Sequence, residues 1–322
     1  MNIELPDANK VAIGKAPEFM TSQEALRFLV NYATLAPSLG NAQPWRFRVT
    51  ENCLEMKPDL SRRLPDCDPD NRHLVISCGA AMVNAEVACR YFGNEARFET
   101  NGHGPLGEHW LARLHRQDEI TPTARDARLF KGIGARHTAR KAFLKRDITD
   151  LQMRKLLEIM EEGQVAATQV DDVASRGLLA EVALTNAANR ERIHQRPHNK
   201  VGCRAFFQRC FMLRANGPTH QSQISLHRSM LAYPRLLVLS TQQDTVHEWI
   251  RFGGVMEKAL LYAASSGIQA SYLGELTRSP KAREETRHML AITGTPQVVL
   301  GLGYTDSQPE TPRRPAHSLI MD

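Results

Sequence analysis

Two periodicities alternate along this chain from Thr21 onward, one of three to four residues and one of two. Thr21 and Glu24 stand at capping-box spacing. Leu26, Leu29, Val30 and Ala33 follow at i, i+3, i+4 and i+7, which predicts a helix with one apolar face. Pro37 stops it, because the residue before a proline avoids the α region. Trp45, Phe47 and Val49 alternate with arginines and predict a half-buried strand, returning through Leu54 and Met56 with the turn at Glu51-Asn52. Pro58 to Asn71, rich in Pro, Asp and Arg, reads as a loop. Leu74 to Tyr91 is rich in Ala, Val and Cys and poor in charge, which predicts a buried helix at the centre of the fold. Arg97 to Glu99 and Trp110 to Leu114 predict two more strands.

The pattern breaks over Thr121 to Gly134 and then starts again. Thr149 and Gln152 repeat the capping-box spacing, and Leu151, Leu156, Leu157 and Met160 form a second apolar helical face. A helix around Val173 to Asn189, a strand at Leu236 to Ser240 and a long helix from Val246 to Ser266 are predicted next. Strands at Ile268 to Leu273 and Gln297 to Leu302 follow, with a helix between them. The second series loosely echoes the first, although sequence identity between them is too weak to establish a repeat. Two halves are therefore expected, residues 15–120 and 121–322. Residues 190–228, dense in Arg, His, Gln and Asn with Phe206, Phe207, Phe211 and Met212 among them, read as an insertion, either a lid or an irregular connection.

At 322 residues the chain is long enough for two packed halves, and 42% hydrophobic with 24% charged residues excludes disorder as the main state. The net charge of +6 suits an anionic ligand such as a phosphorylated cofactor, and it equally suits nucleic acid. The arginines and lysines are scattered in small clusters, however, which fits a solvated surface, and no nucleic-acid partner is expected. The six cysteines include no CxxC pair and read as reduced thiols. The first ten residues lack an apolar signal core, and no run approaches a membrane span. A cytoplasmic protein is expected.

Two segments carry candidate chemistry. Ala36-Pro37-Ser38-Leu39-Gly40-Asn41-Ala42-Gln43-Pro44-Trp45 joins a helix end to a strand start. Its prolines fix the path, Gly40 permits unusual dihedrals, and Ser38, Asn41 and Gln43 offer hydrogen bonds to the heteroatom edge of a flat ring. Arg136-His137-Thr138-Ala139-Arg140 places two guanidiniums and a hydroxyl within five residues, a grouping that suits phosphate oxygens, with Gly132 and Gly134 leaving room for close approach. On spacing alone, the first also reads as an ordinary helix-to-strand loop and the second as a basic surface loop. Gly132-Ile133-Gly134 only begins a GxGxxG motif and follows no strand. His194, His198 and Cys203 are read as surface residues rather than metal ligands, since Pro197 breaks the helix such a pair would need.

The helix followed by Ala-Pro-Ser-x-x-Asn-x-Gln-Pro-Trp and a strand resembles the N-terminal signature of the nitroreductase superfamily. Arg136 to Phe143 resembles that family's Arg-x-Ser-x-Arg-x-Phe segment, with Thr138 in place of Ser. In ordinary members the arginine segment comes first; here it comes 100 residues after the other. This reversed order resembles the Acg-type subgroup, as do Asp68 to Ala81 and the ending Gly303-Tyr304 with Thr311-Pro312-Arg313-Arg314-Pro315. The resemblance runs from about Thr21 to Pro315.

The resemblance implies an α+β fold, a mainly antiparallel sheet flanked by helices, in an internally duplicated pseudo-dimer whose two halves rebuild one complete site. It implies FMN as cofactor. Arg136, Thr138 and Arg140 would hold the phosphate and ribityl, Arg313 would add a phosphate contact with Arg314 next to it, and Pro37, Ser38 and Asn41 would meet the isoalloxazine. Leu273 and Gly274 would run along the ring, where a backbone N–H approaches N5. No side chain is assigned as catalytic. NAD(P)H would be the co-substrate and a nitroaromatic or quinone-like small molecule the electron acceptor. The alternative is a non-catalytic protein that sequesters FMN beneath a lid. The assembly would be a monomeric pseudo-dimer or a homodimer.

Overall fold

The computed structural model describes residues 21–102, 106–194, 230–306 and 311–321. Helix α1 (Ser22–Ala33) opens on the predicted capping box, Thr21 with Glu24, and buries Leu26, Leu29, Val30 and Ala33. Strands β1 (Trp45–Val49) and β2 (Cys53–Pro58) pair antiparallel, with Phe47 opposite Met56. Helix α2 (Arg72–Tyr91) is buried along most of its 20 residues. Strands β3 (Asn94–Thr100) and β4 (Ala112–Glu119) follow.

The expected break at Thr121 to Gly134 is instead a helix, α3 (Ala124–Ala135), with its own capping box of Thr123 and Asp126. The two glycines hid it, since glycine weakens a helix by about 1 kcal/mol relative to alanine. Gly132 does not make room for a ligand: a methyl there would overlap the Leu261 carbonyl, so this glycine serves a close helix crossing. Helix α4 (Asp150–Glu162) opens on the Thr149–Gln152 box. A short strand β5 (Ala166–Gln169), which the sequence pattern did not reveal, precedes α5 (Val173–His194). Strand β6 (Arg235–Thr241), helix α6 (Val246–Ser265), strand β7 (Ile268–Tyr272), helix α7 (Pro280–Met289) and strand β8 (Thr295–Tyr304) follow as expected. The chain closes on a two-residue strand, β9 (Ile320–Met321). The insertion expected over 190–228 lies largely outside the described residues.

The α+β class is borne out. Two sheets form, ordered β3-β4-β2-β1-β9 and β5-β6-β8-β7, with antiparallel pairing throughout except for β9 beside β1. Read from the opposite edge, the second is β7-β8-β6-β5. Its strands then occupy the positions of β3, β4, β2 and β1 in the first. Helices α2 and α6, 20 residues each, stand at corresponding points between the second and third strands of each series and pack on one another at the centre. Two apolar clusters meet there. One gathers Trp45, Phe47, Met56 and Leu114 with the α2 face, and the other gathers Leu237, Leu300 and Phe252 with the α6 face. β9 carries the end of the chain back from the second sheet to the first. Among the described residues no helix is long and apolar enough to cross a membrane.

Candidate functional site

Past the end of α1 the chain coils tightly. Gly40, Asn41 and Gln43 have φ of +66°, +53° and +48°. Glycine and asparagine accept that region readily, whereas glutamine does so at a cost. The coil is held from inside and outside. The Gln43 N–H donates to Ser38 Oγ at 3.0 Å. The segment before the C-terminus then clamps it: Asn41 Nδ2 donates to the Pro312 carbonyl at 2.9 Å and Arg313 Nη1 donates to Asn41 Oδ1 at 2.6 Å. The Arg314 N–H donates to Gln43 Oε1 at 2.8 Å, and its guanidinium donates to the Gln43 carbonyl at 3.1 Å.

The arginine segment is set by α3 and β7. Arg136 caps the C-terminus of α3 in extended geometry. The next residues run parallel to β7, with Thr138 opposite Ala270 and the Ala139 N–H on the Ala270 carbonyl at 2.8 Å. Gln269 secures the entry, accepting from the His137 N–H and donating to the Ala135 carbonyl, both at 2.9 Å. Arg136 is thereby buried, while Arg140 is exposed. Phe143 packs over Gly303, where a Cβ would come within 2.6 Å of its ring.

The two segments meet at one atom. Arg136 Nη2 and Arg313 Nη2 each donate to the Leu35 carbonyl oxygen at 3.0 Å. Opposite them, from the middle of α6, stands Glu257, fully buried, its Oε1 at 3.4 Å from Arg136 Nε. Burial pushes Glu257 up to about 7, against the pull of Arg136, Arg313 and the Asn84 amide. Burial lowers Arg313 to about 10, and repulsion from Arg136 and Arg140 adds to this. The Tyr272 hydroxyl, raised by burial, sits in the same electrostatic environment.

Arg136, Arg313 and Asn41 are thus brought together, with Ser38 inside the same coil and Thr138 on the adjoining strand. Leu273 and Gly274 follow directly on Tyr272. The Leu273 N–H is bonded to the Val299 carbonyl at 2.9 Å and its side chain is buried in a third apolar cluster with Leu179 and Ala183 of α5. Arg314 braces Gln43 rather than joining Arg313 at Leu35. Sequence reasoning missed Glu257, whose one signal is a carboxylate in the otherwise apolar face of α6. It also missed Asn84 and Tyr272, which carry no pattern at all.

Arg72, in the segment Asp68 to Ala81, has a separate task. It is buried at the start of α2 and donates to the Gln297 carbonyl at 2.6 Å, to Gln297 Oε1 at 2.8 Å and to the Thr277 carbonyl at 2.7 Å, tying α2 to β8 of the second sheet. Asp68 caps the same helix through the His73 and Leu74 N–H groups. Among the described residues no group of His, Cys, Asp and Glu could hold a metal ion; His198 and Cys203 lie outside them.

No family model matches the chain. A Mycobacterium tuberculosis protein provisionally named an NAD(P)H nitroreductase is 26% identical over 340 aligned positions, covering 95% of both chains. The protein of the same organism provisionally named NAD(P)H nitroreductase Acg is 25% identical, covering 93% of this chain and 96% of its own. Among solved structures, the NADPH:FMN oxidoreductase of Vibrio harveyi aligns with 61% of this chain and 76% of its own at 20% identity and a TM-score of 0.40, too loosely to add to the case. Over nearly its whole length the chain is a relative of the nitroreductase-type proteins that include Acg, the family its two motif segments resemble.

Proposed function

We propose that this chain binds FMN, its phosphate held by Arg136 and Arg313 with Thr138 and Arg140 beside it, and that it is an NAD(P)H-dependent oxidoreductase of the nitroreductase type. The observation that carries this reading is the convergence of two guanidiniums, Arg136 buried and Arg313 half-buried, on the single carbonyl of Leu35. Three arginines, at 136, 140 and 313, stand against one carboxylate, Glu257, whose charge burial disfavours. Desolvated positive charge in excess is unfavourable by itself and is relieved by an anion with several oxygens. Arg136 Nε, buried and without a hydrogen-bond partner among the described residues, is a donor for it. The names of the relatives support the NAD(P)H-dependent, nitroreductase part of this reading.

Pro37 and Ser38, in the rigid coil, would meet the ring edge. Asn41, with its amide already committed to Pro312 and Arg313, would act by positioning Arg313. Leu273 and Gly274 would supply main-chain contacts along the ring. FMN, when bound, supplies the electron transfer from NAD(P)H to a nitroaromatic or quinone-like acceptor, and the chain's residues bind and orient it. The equivalent strand orders of the two sheets support reading residues 15–120 and 121–322 as fused counterparts of two subunits, with one complete site between them.

The test is the visible spectrum of the purified protein supplied with FMN, followed by NADPH under anaerobic conditions. Retained flavin absorbance that bleaches is expected. Absorbance that NADPH leaves unchanged would favour sequestration over turnover, and no retained flavin would overturn both.

A further inference from the structure

Glu257 is buried more completely than its chemistry warrants. Its exposure is 0%, and neither carboxylate oxygen has a hydrogen-bond partner among the described residues. Its nearest cation, Arg136, approaches to 3.4 Å through Nε, beyond the 2.7–2.9 Å typical of a strong charged hydrogen bond. The groups facing it come from four places: Arg136 after α3, Arg313 near the C-terminus, Tyr272 on β7 and Asn84 on α2, with Arg140 acting on Arg313 from the solvent side. The Tyr272 hydroxyl and Asn84 Oδ1 are likewise buried and without partners. Asn84 Nδ2 donates to the Tyr32 carbonyl at 3.2 Å, and the Asn84 amide favours the ionised form of Glu257.

We propose that Glu257 is the resident counterion of Arg136, displaced by the phosphate of the ligand, so that a phosphorylated ligand and one proton bind together. The inference rests on the phosphate reading of Arg136 and Arg313. In the exchange, phosphate oxygens take over the guanidinium N–H donors. Glu257, buried beside a second anion, takes one proton from solvent. Since Glu257 stands near 7 before any ligand arrives, it is mostly ionised at pH 8, where the exchange takes up nearly one proton, and mostly protonated at pH 6. A ligand without a phosphate leaves the pair in place. Glu257 therefore sets the discrimination between phosphorylated and unphosphorylated flavin and makes it depend on pH.

The experiment is calorimetric titration of the full chain with FMN, and separately with riboflavin, in buffers of different ionisation enthalpy. At pH 8 the FMN phosphate is already largely dianionic and contributes little, its second pKa being about 6. Uptake approaching one proton per FMN is expected, with none for riboflavin, and FMN affinity falling about tenfold per pH unit above pH 7. Glu257→Gln should abolish the uptake and flatten the pH dependence. Infrared difference spectra of the unmutated protein at pH 8 provide a second readout, a protonated-carboxyl band appearing on FMN addition. FMN binding with no proton uptake and no such band would overturn this proposal and leave the functional reading intact. Failure to bind FMN at any pH would overturn both.

Discussion

A methyl group on Gly79 would overlap the carbonyl oxygen of Ile250. The relationship is reciprocal: a methyl on Gly253 would overlap the carbonyl oxygen of Ile76. The first residues of the two helices, Arg72 and Val246, are 174 positions apart, and so are Ile76 from Ile250 and Gly79 from Gly253. One helix therefore touches the other with the same residues by which it is touched, as across a twofold axis. Backbone cannot rotate away from an added methyl as a side chain can. Gly79→Ala and Gly253→Ala should each cost at least the 1–3 kcal/mol typical of overpacking, and by similar amounts. Urea denaturation midpoints measure this; a variant as stable as the parent would refute the crossing.

The arginines should separate by burial. Arg136→Ala and Arg313→Ala each remove charged hydrogen-bond donors and should weaken FMN binding roughly 10- to 100-fold, as expected for about 1.5–3 kcal/mol per charged bond. Arg140→Ala, on an exposed residue, should cost less. Fluorescence titration with FMN gives the order, and an equal loss from all three would contradict it.

How far the site could be read in advance follows from what each part depends on. The caps at Thr21 and Thr149, the strands and the central helices are local patterns, and they stand where the periodicities put them. Helix α3 was missed because it carries two glycines, and the use of Gly132 appears only against Leu261. β5 and β9, four and two residues long, are too short to show alternation. The two motif segments were legible as motifs, but their junction at the Leu35 carbonyl was not, since it joins residues far apart in the chain through a backbone atom. Glu257 was illegible for the same reason: only tertiary packing distinguishes it from a surface carboxylate on a helix.

Asn41 ties the coil to the C-terminal segment through both ends of its amide. Asn41→Gly keeps the left-handed backbone but loses both bonds, so its effect isolates the clamp. Faster tryptic cleavage after Arg313 is expected, together with weaker FMN binding. Asn41→Ala adds the strain of a φ near +53° and should be the less stable of the two. Unchanged cleavage in both variants would show that Arg313 is held mainly through Leu35.

Glu257 also makes a stability prediction that needs no ligand. Its ordinary value is 4.5 and burial raises it to about 7, so between those values the folded chain binds more protons than the unfolded one and stability falls as pH rises. His73 opposes this in the same range. Burial, and then Arg72, hold it well below 6.5, so it contributes stability that grows as pH rises toward 6.5. Asp126 and Asp244 act lower: burial raises them, but hydrogen bonds and arginines outweigh it and hold them below the usual carboxylate value, so their contribution is lost only as pH falls below about 4. The total curve therefore mixes signs, and the difference between the parent and Glu257→Gln isolates one group. That difference should be small near pH 4.5, where Glu257 is neutral in the folded chain and only half ionised in the unfolded one. It should grow in favour of the variant up to pH 7 and stay constant above, reaching at most about 3 kcal/mol at 1.36 kcal/mol per pKa unit. Denaturation midpoints of both proteins from pH 4.5 to 8.5 measure it. A difference independent of pH would mean that Glu257 titrates alike in the folded and unfolded chain, and would remove the basis for assigning it a buried charge.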